Sequence, residues 1–391
     1  MPLSPCGYAL TLMRKTDSML ALPFIVALAG CGGGATTLTP PPPPLPPASN
    51  NGPVPSSVSA VSGYTVSIFA PLPSGSTKPD SIVQIGNSIF VGFGDTVKPD
   101  GTPGSAGTSQ VEIVRYGLNG KVQKIYQVPG HNDGLMAFDR NTLWAMSNED
   151  GNAKLVVIDI PSGTQKSYTP QPSLVDASGG LPHGGGLDDM ALINGKVYTT
   201  ASNPSANATA TCPSDSSTPG CPNGVNTSPF VYTISLNSDG STFTLTPAAT
   251  SNVPTTNVVT HARGTFNITD PDSELVSPDG STLIVDGQQD SELAFIANPG
   301  ANATASFLPL TLSGSPQHVD DTRFVPQGPT FMLLADTPQD AIYRIDGNFS
   351  SGDAYSAGQT MLLKLNLTSG ALTPVVSGLG APHGLAFITP Q

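Results

Sequence analysis

Basic side chains are scarce in this chain. Lys and Arg together number 15 in 391 residues against 28 Asp and Glu, for a formal charge of −13. A nucleic-acid binder presents a basic stripe that neutralises phosphates; none is visible, which excludes nucleic acid as a partner. Charged residues of both signs make up only 11%, too few for many exposed helices. No long apolar run with helical period occurs after Cys31, so an α-helical domain is not expected. The patterns HExxH, GxSxG, GxGxxG and the P-loop are all absent, so no motif names a reaction. Cysteine is limited to Cys6, Cys31, Cys212 and Cys221. Gly (42) and Pro (40) are plentiful. A long chain with that many turn formers reads as repeat-built β structure. Acidic balance in an exported protein ordinarily serves solubility.

Residues 13–31 read MRKTDSMLALPFIVALAGC. Arg14 and Lys15 precede an apolar stretch, 19–29, too short to act as a stop-transfer helix. Met13 stands directly before the charged region and is the better initiator. The stretch ends in Leu28-Ala29-Gly30-Cys31, which resembles the lipobox of bacterial lipoproteins. The resemblance implies a signal peptide over 1–30, cleavage before Cys31 and a diacylglycerol on its thiol, so that the membrane is a partner through a lipid anchor. Gly32 after that Cys resembles the enterobacterial signal for the outer membrane, facing the periplasm. Residues 32–61 carry no charge and centre on a proline run at 40–47. Residues 31–61 are therefore expected to form a polyproline II tether, holding a domain at 62–391 roughly 50–90 Å from the anchor. An oxidising compartment makes Cys212 and Cys221, in CPSDSSTPGC, an expected disulfide.

The stretch 181–203, LPHGGGLDDMALINGKVYTTASN, contains the recurring unit. A polar Gly-rich lead-in is followed by an apolar run (190–193), the turn Asn194-Gly195 and a second β-prone run (197–200). Asn-Gly tolerates the positive φ of a type I′ turn, so a hairpin is expected. The same grammar of lead-in and four strands recurs. The first unit leads in at Pro79-Asp80-Ser81, with strands at 82–85, 88–93, 111–116 and 122–128. The second leads in at His131-Asn132-Asp133, with strands at 135–138, 142–146, 155–160 and 165–168. The third adds 230–236 and 242–246 to the hairpin. The fourth leads in at Asp270-Pro271-Asp272, with strands at 274–277, 282–285, 293–296 and 305–310. The fifth leads in at 318–321, with strands at 322–325, 331–335, 361–367 and 372–376, and an extra strand at 341–345. A sixth lead-in, 381–384, opens a strand at 385–388 that lacks outer partners. Residues 64–70 (YTVSIFA) form a strand without a unit.

Four-stranded units at this spacing predict an all-β fold, a six-bladed β-propeller. Its ring is closed by the N-terminal strand joining the last blade. The residues PHG (382–384), LLADT (333–337) and the lead-in pattern resemble NHL-repeat and gluconolactonase-like six-bladed propellers over roughly 64–391. The chain also resembles bacterial propeller lipoproteins. The gluconolactonase resemblance implies a divalent metal at the channel mouth, held by a Glu from the first inner strand, Asn residues and an Asp. This chain has Asp80 at that first position.

Four of the five His stand at lead-ins: His131, His183, His318 and His383, accompanied by Asp80, Asp133, Asp188, Asp189, Asp272, Asp320 and Asp321. In a propeller these lead-ins converge on the channel mouth, as do the long insertions 94–110, 202–229 and 338–359. Imidazoles and carboxylates converging on one axis suit Ca²⁺, Zn²⁺ or a small polar ligand. Asp before a strand also caps its turn, a role that needs no ligand. Three readings follow: an envelope module that binds a small polar ligand or an envelope protein, a metal-dependent hydrolase of the lactonase type, and a scaffold in an envelope assembly. The sequence leaves open whether the protein is an enzyme.

Overall fold

A computed structural model describes residues 44–48, 51–171, 186–202, 206–207, 225–226, 229–251, 253–268, 270–300 and 302–391. Cys31, His183, Cys212 and Cys221 lie outside the described residues. The described elements are all strands, as the composition predicts.

Each lead-in opens the innermost strand of an antiparallel four-stranded unit. The first unit runs in chain order through Pro79–Ile85, Ser88–Phe93, Gln110–Gly117 and Val122–Pro129. The second comprises Asn132–Ala137, Thr142–Ser147, Lys154–Asp159 and Gln165–Pro170. The third comprises Met190–Ile193, Lys196–Thr200, Pro229–Leu236 and Thr242–Thr250. Its hairpin forms as expected: Ile193 pairs with Lys196, and Asn194 and Gly195 take φ of 50° and 75°. The outer strands of the second and third units pair in parallel, Thr169 with Thr242, giving one eight-stranded sheet. The fourth comprises Pro271–Val276, Thr282–Gly287, Glu292–Ala297 and Thr304–Pro309.

The last two units are interlaced, and this departs from the expected assignment. Phe331–Asp336 does not join the fifth unit. It pairs with the C-terminal strand Pro382–Ile388, Leu334 opposite Leu385. Ala341–Gly347 follows it in the same sheet, and Tyr64–Ala70 forms the outer edge, Tyr64 opposite Gly347. The fifth unit draws its second strand from Ala354–Gly358, inside the stretch read as an insertion loop. It is otherwise built from Val319–Phe324, Met361–Leu365 and Ala371–Ser377. Both candidate second strands are short and apolar, so alternation cannot rank them; only the partner on offer can. The N-terminal strand does join the last sheet, as expected.

Every unit packs face to face on its neighbours. Separate apolar clusters fill the spaces between successive units, and one, with Phe69, Ile89, Phe93, Phe331 and Ile388, lies between the last and the first. Burial on both faces explains why strands such as Ser88–Phe93 are buried at every position. A large apolar side chain buried in this way contributes about 1.5–3 kcal/mol. The innermost strands touch one another in succession, and Pro382–Ile388 returns to touch Pro79–Ile85. This is a β-propeller arrangement. Part of the expected tether is seated on it. Leu45 packs against the apolar cluster that contains Phe69, Val54 and Val58 join the cluster that contains Tyr343 and Tyr355, and Ser59 pairs with Ser377.

Candidate functional site

Five of the six lead-ins are β-bulges. Pairing slips between Pro79 and Ile82, Asn132 and Gly134, Pro271 and Glu274, and Val319 and Thr322; a matching slip lies opposite 382–385. A bulge leaves an extra residue unpaired and re-aims its side chain, so the bulged inner strands deliver Asp80, Asp133, Asp272, Asp320 and His383 to one end of the channel. At two of these lead-ins the following residue is a glycine where neighbouring strands approach closely. A Cβ on Gly134 would lie 2.7 Å from the Asp188 carbonyl oxygen, and one on Gly384 2.3 Å from that of Asp80.

The result is a cavity of about 370 Å³. Asp80, His131, Asp133, Asp188, Asp189, Asp272, Asp320, Asp321 and His383 all line it. The sequence-based set thus converges, with two exceptions. His318 lines an adjoining cavity of about 350 Å³, and His183 is outside the described residues. Glu149, Asp150, Asp270, Gln288 and Arg323 also line the main cavity and were not anticipated. Glu149 and Gln288 follow the second strands of their units, a position that reads as ordinary turn. Arg323 hides in an inner strand, where a charge has no periodic signature.

The carboxylates fall into two groups. Arg323 serves the deeper one: its Nη1 lies 2.7 Å from Asp321 Oδ1 and its Nη2 3.3 Å from Asp189 Oδ2. Leu385 N–H donates to Asp321 at 2.7 Å, and Glu274 N–H donates to Asp189 at 3.3 Å. Burial still raises the Asp321 pKa to about 7 against the pull of Arg323. The outer group is Asp80, Asp133, Glu149, Asp188, Asp272 and Asp320. His383 Nδ1 lies 3.3 Å from Asp320 Oδ2 and 3.5 Å from Asp80 Oδ2. Gln288 Nε2 donates to Asp272 at 2.7 Å and to Asp320 at 3.0 Å. Burial, then its acidic neighbours, push Asp80 to about 7 and Glu149 to about 8. Burial followed by neighbouring carboxylates also holds Asp133, Asp188 and Asp272 well above the usual range. Burial disfavours the His383 imidazolium, but Asp320 and Asp80 outweigh it and raise its pKa to about 9. His131 goes the other way. Burial lowers its pKa, and its Nδ1 is engaged with the Val97 carbonyl at 2.7 Å.

Among the described residues, no three His, Cys, Asp or Glu side chains converge in a geometry that could hold a metal ion. The Ca²⁺ or Zn²⁺ expectation therefore meets no preformed ligand set. The Glu and Asn ligands implied by the lactonase resemblance are not matched at the first inner strand, which supplies Asp80. What the cavity offers is a crowd of carboxyl groups shielded from water, whose ionisation burial and mutual repulsion resist and a nearby cation would favour.

No family model matches the chain, and no curated protein matches it. Solved structures that it resembles include a gluconolactonase from Xanthomonas campestris. That pair shares 15% identity at a TM-score of 0.45, over 89% of this chain and 96% of that one. A periplasmic gluconolactonase from Pseudomonas aeruginosa gives 12% identity and a TM-score of 0.44, over 82% and 90%. Likeness at this level assigns neither family nor activity.

Proposed function

We propose that this protein is a lipid-anchored envelope module, a closed six-bladed propeller that binds a cationic ligand at its acidic channel mouth. The ring reading is supported by successive contacts among the inner strands and by the interlaced last sheet. The binding reading is carried by one observation. Six carboxylates (Asp80, Asp133, Glu149, Asp188, Asp272 and Asp320) share a small cavity in which, among the described residues, their close basic partners are two imidazoles: His383, beside Asp80 and Asp320, and His131, whose Nε2 lies 3.5 Å from Asp133 Oδ1 and whose charged form burial disfavours. Arg323 is committed to Asp189 and Asp321, and Lys78 stands exposed at the rim. Buried like charges are costly unless compensated. A bound cation, an organic amine or a divalent ion, supplies the compensation.

Calorimetric titration of the mature chain with ethylammonium and with Ca²⁺ tests this. The expected result is saturable binding of at least one, weakened by added salt and at least tenfold weaker in Asp188→Asn. Absence of binding by both, or binding indifferent to Asp188→Asn, overturns the reading.

A metal-dependent hydrolase of the lactonase type is the second reading. The contact between His383 and Asp80 favours it, since a carboxyl raised by burial to about 7 can move protons near neutral pH. The residues present do not fit the metal that activity would require, so no reaction step is derived through one. Hydrolysis of δ-gluconolactone above background, dependent on added divalent metal and lost in Asp80→Asn, would replace the binding reading with this one.

A further inference from the structure

The acidic cavity has a neighbour. The adjoining cavity of about 350 Å³ is lined by Gln288, Gln289, His318, Asp320, Gln359 and His383, with Ala381, Pro382 and Val319 supplying an apolar wall. Gln288, Asp320 and His383 line both cavities and stand between them. The two compartments differ in chemistry. The main cavity is crowded with carboxylates, whereas Asp320 is the one acid in the lining of the side pocket, and it already contacts His383 and Gln288.

His318 sets what the side pocket recognises. Its Nδ1 lies 2.6 Å from the Gln288 carbonyl oxygen. A carbonyl oxygen only accepts, so Nδ1 carries the hydrogen, and in the neutral ring Nε2 is left as an acceptor. An acceptor there, with the exposed amides of Gln289 and Gln359 at the rim, suits hydroxyl groups. The apolar wall suits the carbon face of the same molecule. A ligand carboxylate is disfavoured, because Asp320 and a ring-nitrogen lone pair would both face it.

We propose that the ligand is a hydroxylated amine of the amino-sugar or amino-alcohol class, its ammonium group in the acidic cavity and its hydroxyls in the side pocket beside His318. This rests on the cationic-ligand reading and extends it to both compartments.

The test is calorimetry on the mature chain with four probes: ethylammonium (charge alone), glucosamine (charge and hydroxyls), glucose (hydroxyls alone) and N-acetylglucosamine (charge removed). Glucosamine should bind about tenfold tighter than ethylammonium, as expected for one or two net hydrogen bonds. Glucose and N-acetylglucosamine should bind at least tenfold more weakly than glucosamine. His318→Phe should shrink the glucosamine-to-ethylammonium affinity ratio about five- to tenfold. Gln359→Ala, at an exposed position, should shrink it about twofold and serves if His318→Phe does not fold. Equal affinity for the two amines, or a ratio unmoved by both variants, overturns the proposal and leaves the cationic-ligand reading standing. Binding of Ca²⁺ alone does the same. If no cation binds, the underlying reading fails and takes this one with it.

Discussion

His383 Nδ1 lies 3.3 Å from Asp320 Oδ2, although 63 positions separate the two residues in the chain (383 − 320). The contact joins the innermost strands of the last two units, and it sets a pH dependence. The folded-state pKa of His383 is raised from 6.5 to about 9. Its contribution to stability is therefore fully present below about 6.5 and lost as pH rises through 9. Asp80 and Glu149 are raised to about 7 and about 8. A raised carboxyl binds its proton more tightly in the folded state, so stability also falls as pH rises from about 4 through these values. Both terms have one sign. Without added cation, Tm should fall by about 5 °C or more between pH 6 and pH 9.5, and a saturating cation should flatten the curve. A Tm that rises or holds over that range in cation-free buffer refutes the electrostatic account.

Asp188 and Asp272 are hydrogen-bonded to each other inside the cavity, which obliges one of them to hold a proton. Asp272→Asn keeps the shape and a donor toward Asp188 but removes a group that a bound cation could ionise. It should change the stability of the ligand-free protein by less than about 1 kcal/mol near neutral pH, because the carboxyl it replaces is already held protonated by burial and its acidic neighbours. Cation affinity should fall at least tenfold at the same time. Paired melting and titration curves check this, and a variant that loses stability and keeps affinity contradicts it.

Arg344 ties the N-terminal segment to the closing sheet. Its side chain is 3% exposed, it is bidentate with Asp346 at 2.9 and 2.7 Å, and its Nη1 donates to the Pro47 carbonyl at 3.2 Å. The guanidinium also sits 4.0 Å over the Phe331 ring. Arg344→Ala should cost about 2–4 kcal/mol, read as a shift in the urea midpoint.

Deleting residues 62–71 removes the outer strand that covers Ala341–Gly347. The bared edge can pair with another chain, so the deletion should yield insoluble protein. A soluble deletion variant with unchanged Tm would show that this strand does not close the sheet.

The anchor is tested by Cys31→Ser, which should move the protein from the membrane fraction to the soluble one. Globomycin should cause precursor to accumulate. Unchanged membrane fractionation of the variant removes the lipobox from consideration.

Local chemistry carries far in this protein. The β class, the strands of the first four units, the Asn194-Gly195 hairpin and the polar lead-ins are legible because each depends on φ preference, alternation or turn residues within a few positions. The convergence of Asp80, Asp133, Asp188, Asp272, Asp320 and His383 was legible for the same reason, since a repeated unit places equivalent residues equivalently. What the tertiary structure alone decided concerns partners distant in the chain. Phe331–Asp336 could extend the fifth unit or complete the last, and only its pairing with Pro382–Ile388 settles which. The seating of Leu45, Val54 and Val58 on the domain is equally invisible in a charge-free, proline-rich sequence, because it depends on apolar clusters that strands distant in the chain assemble. The split of the carboxylates has the same origin. Arg323 neutralises Asp189 and Asp321 and leaves the outer six with the imidazoles of His131 and His383, because the fold brings its guanidinium between two strands that the chain separates by more than a hundred residues.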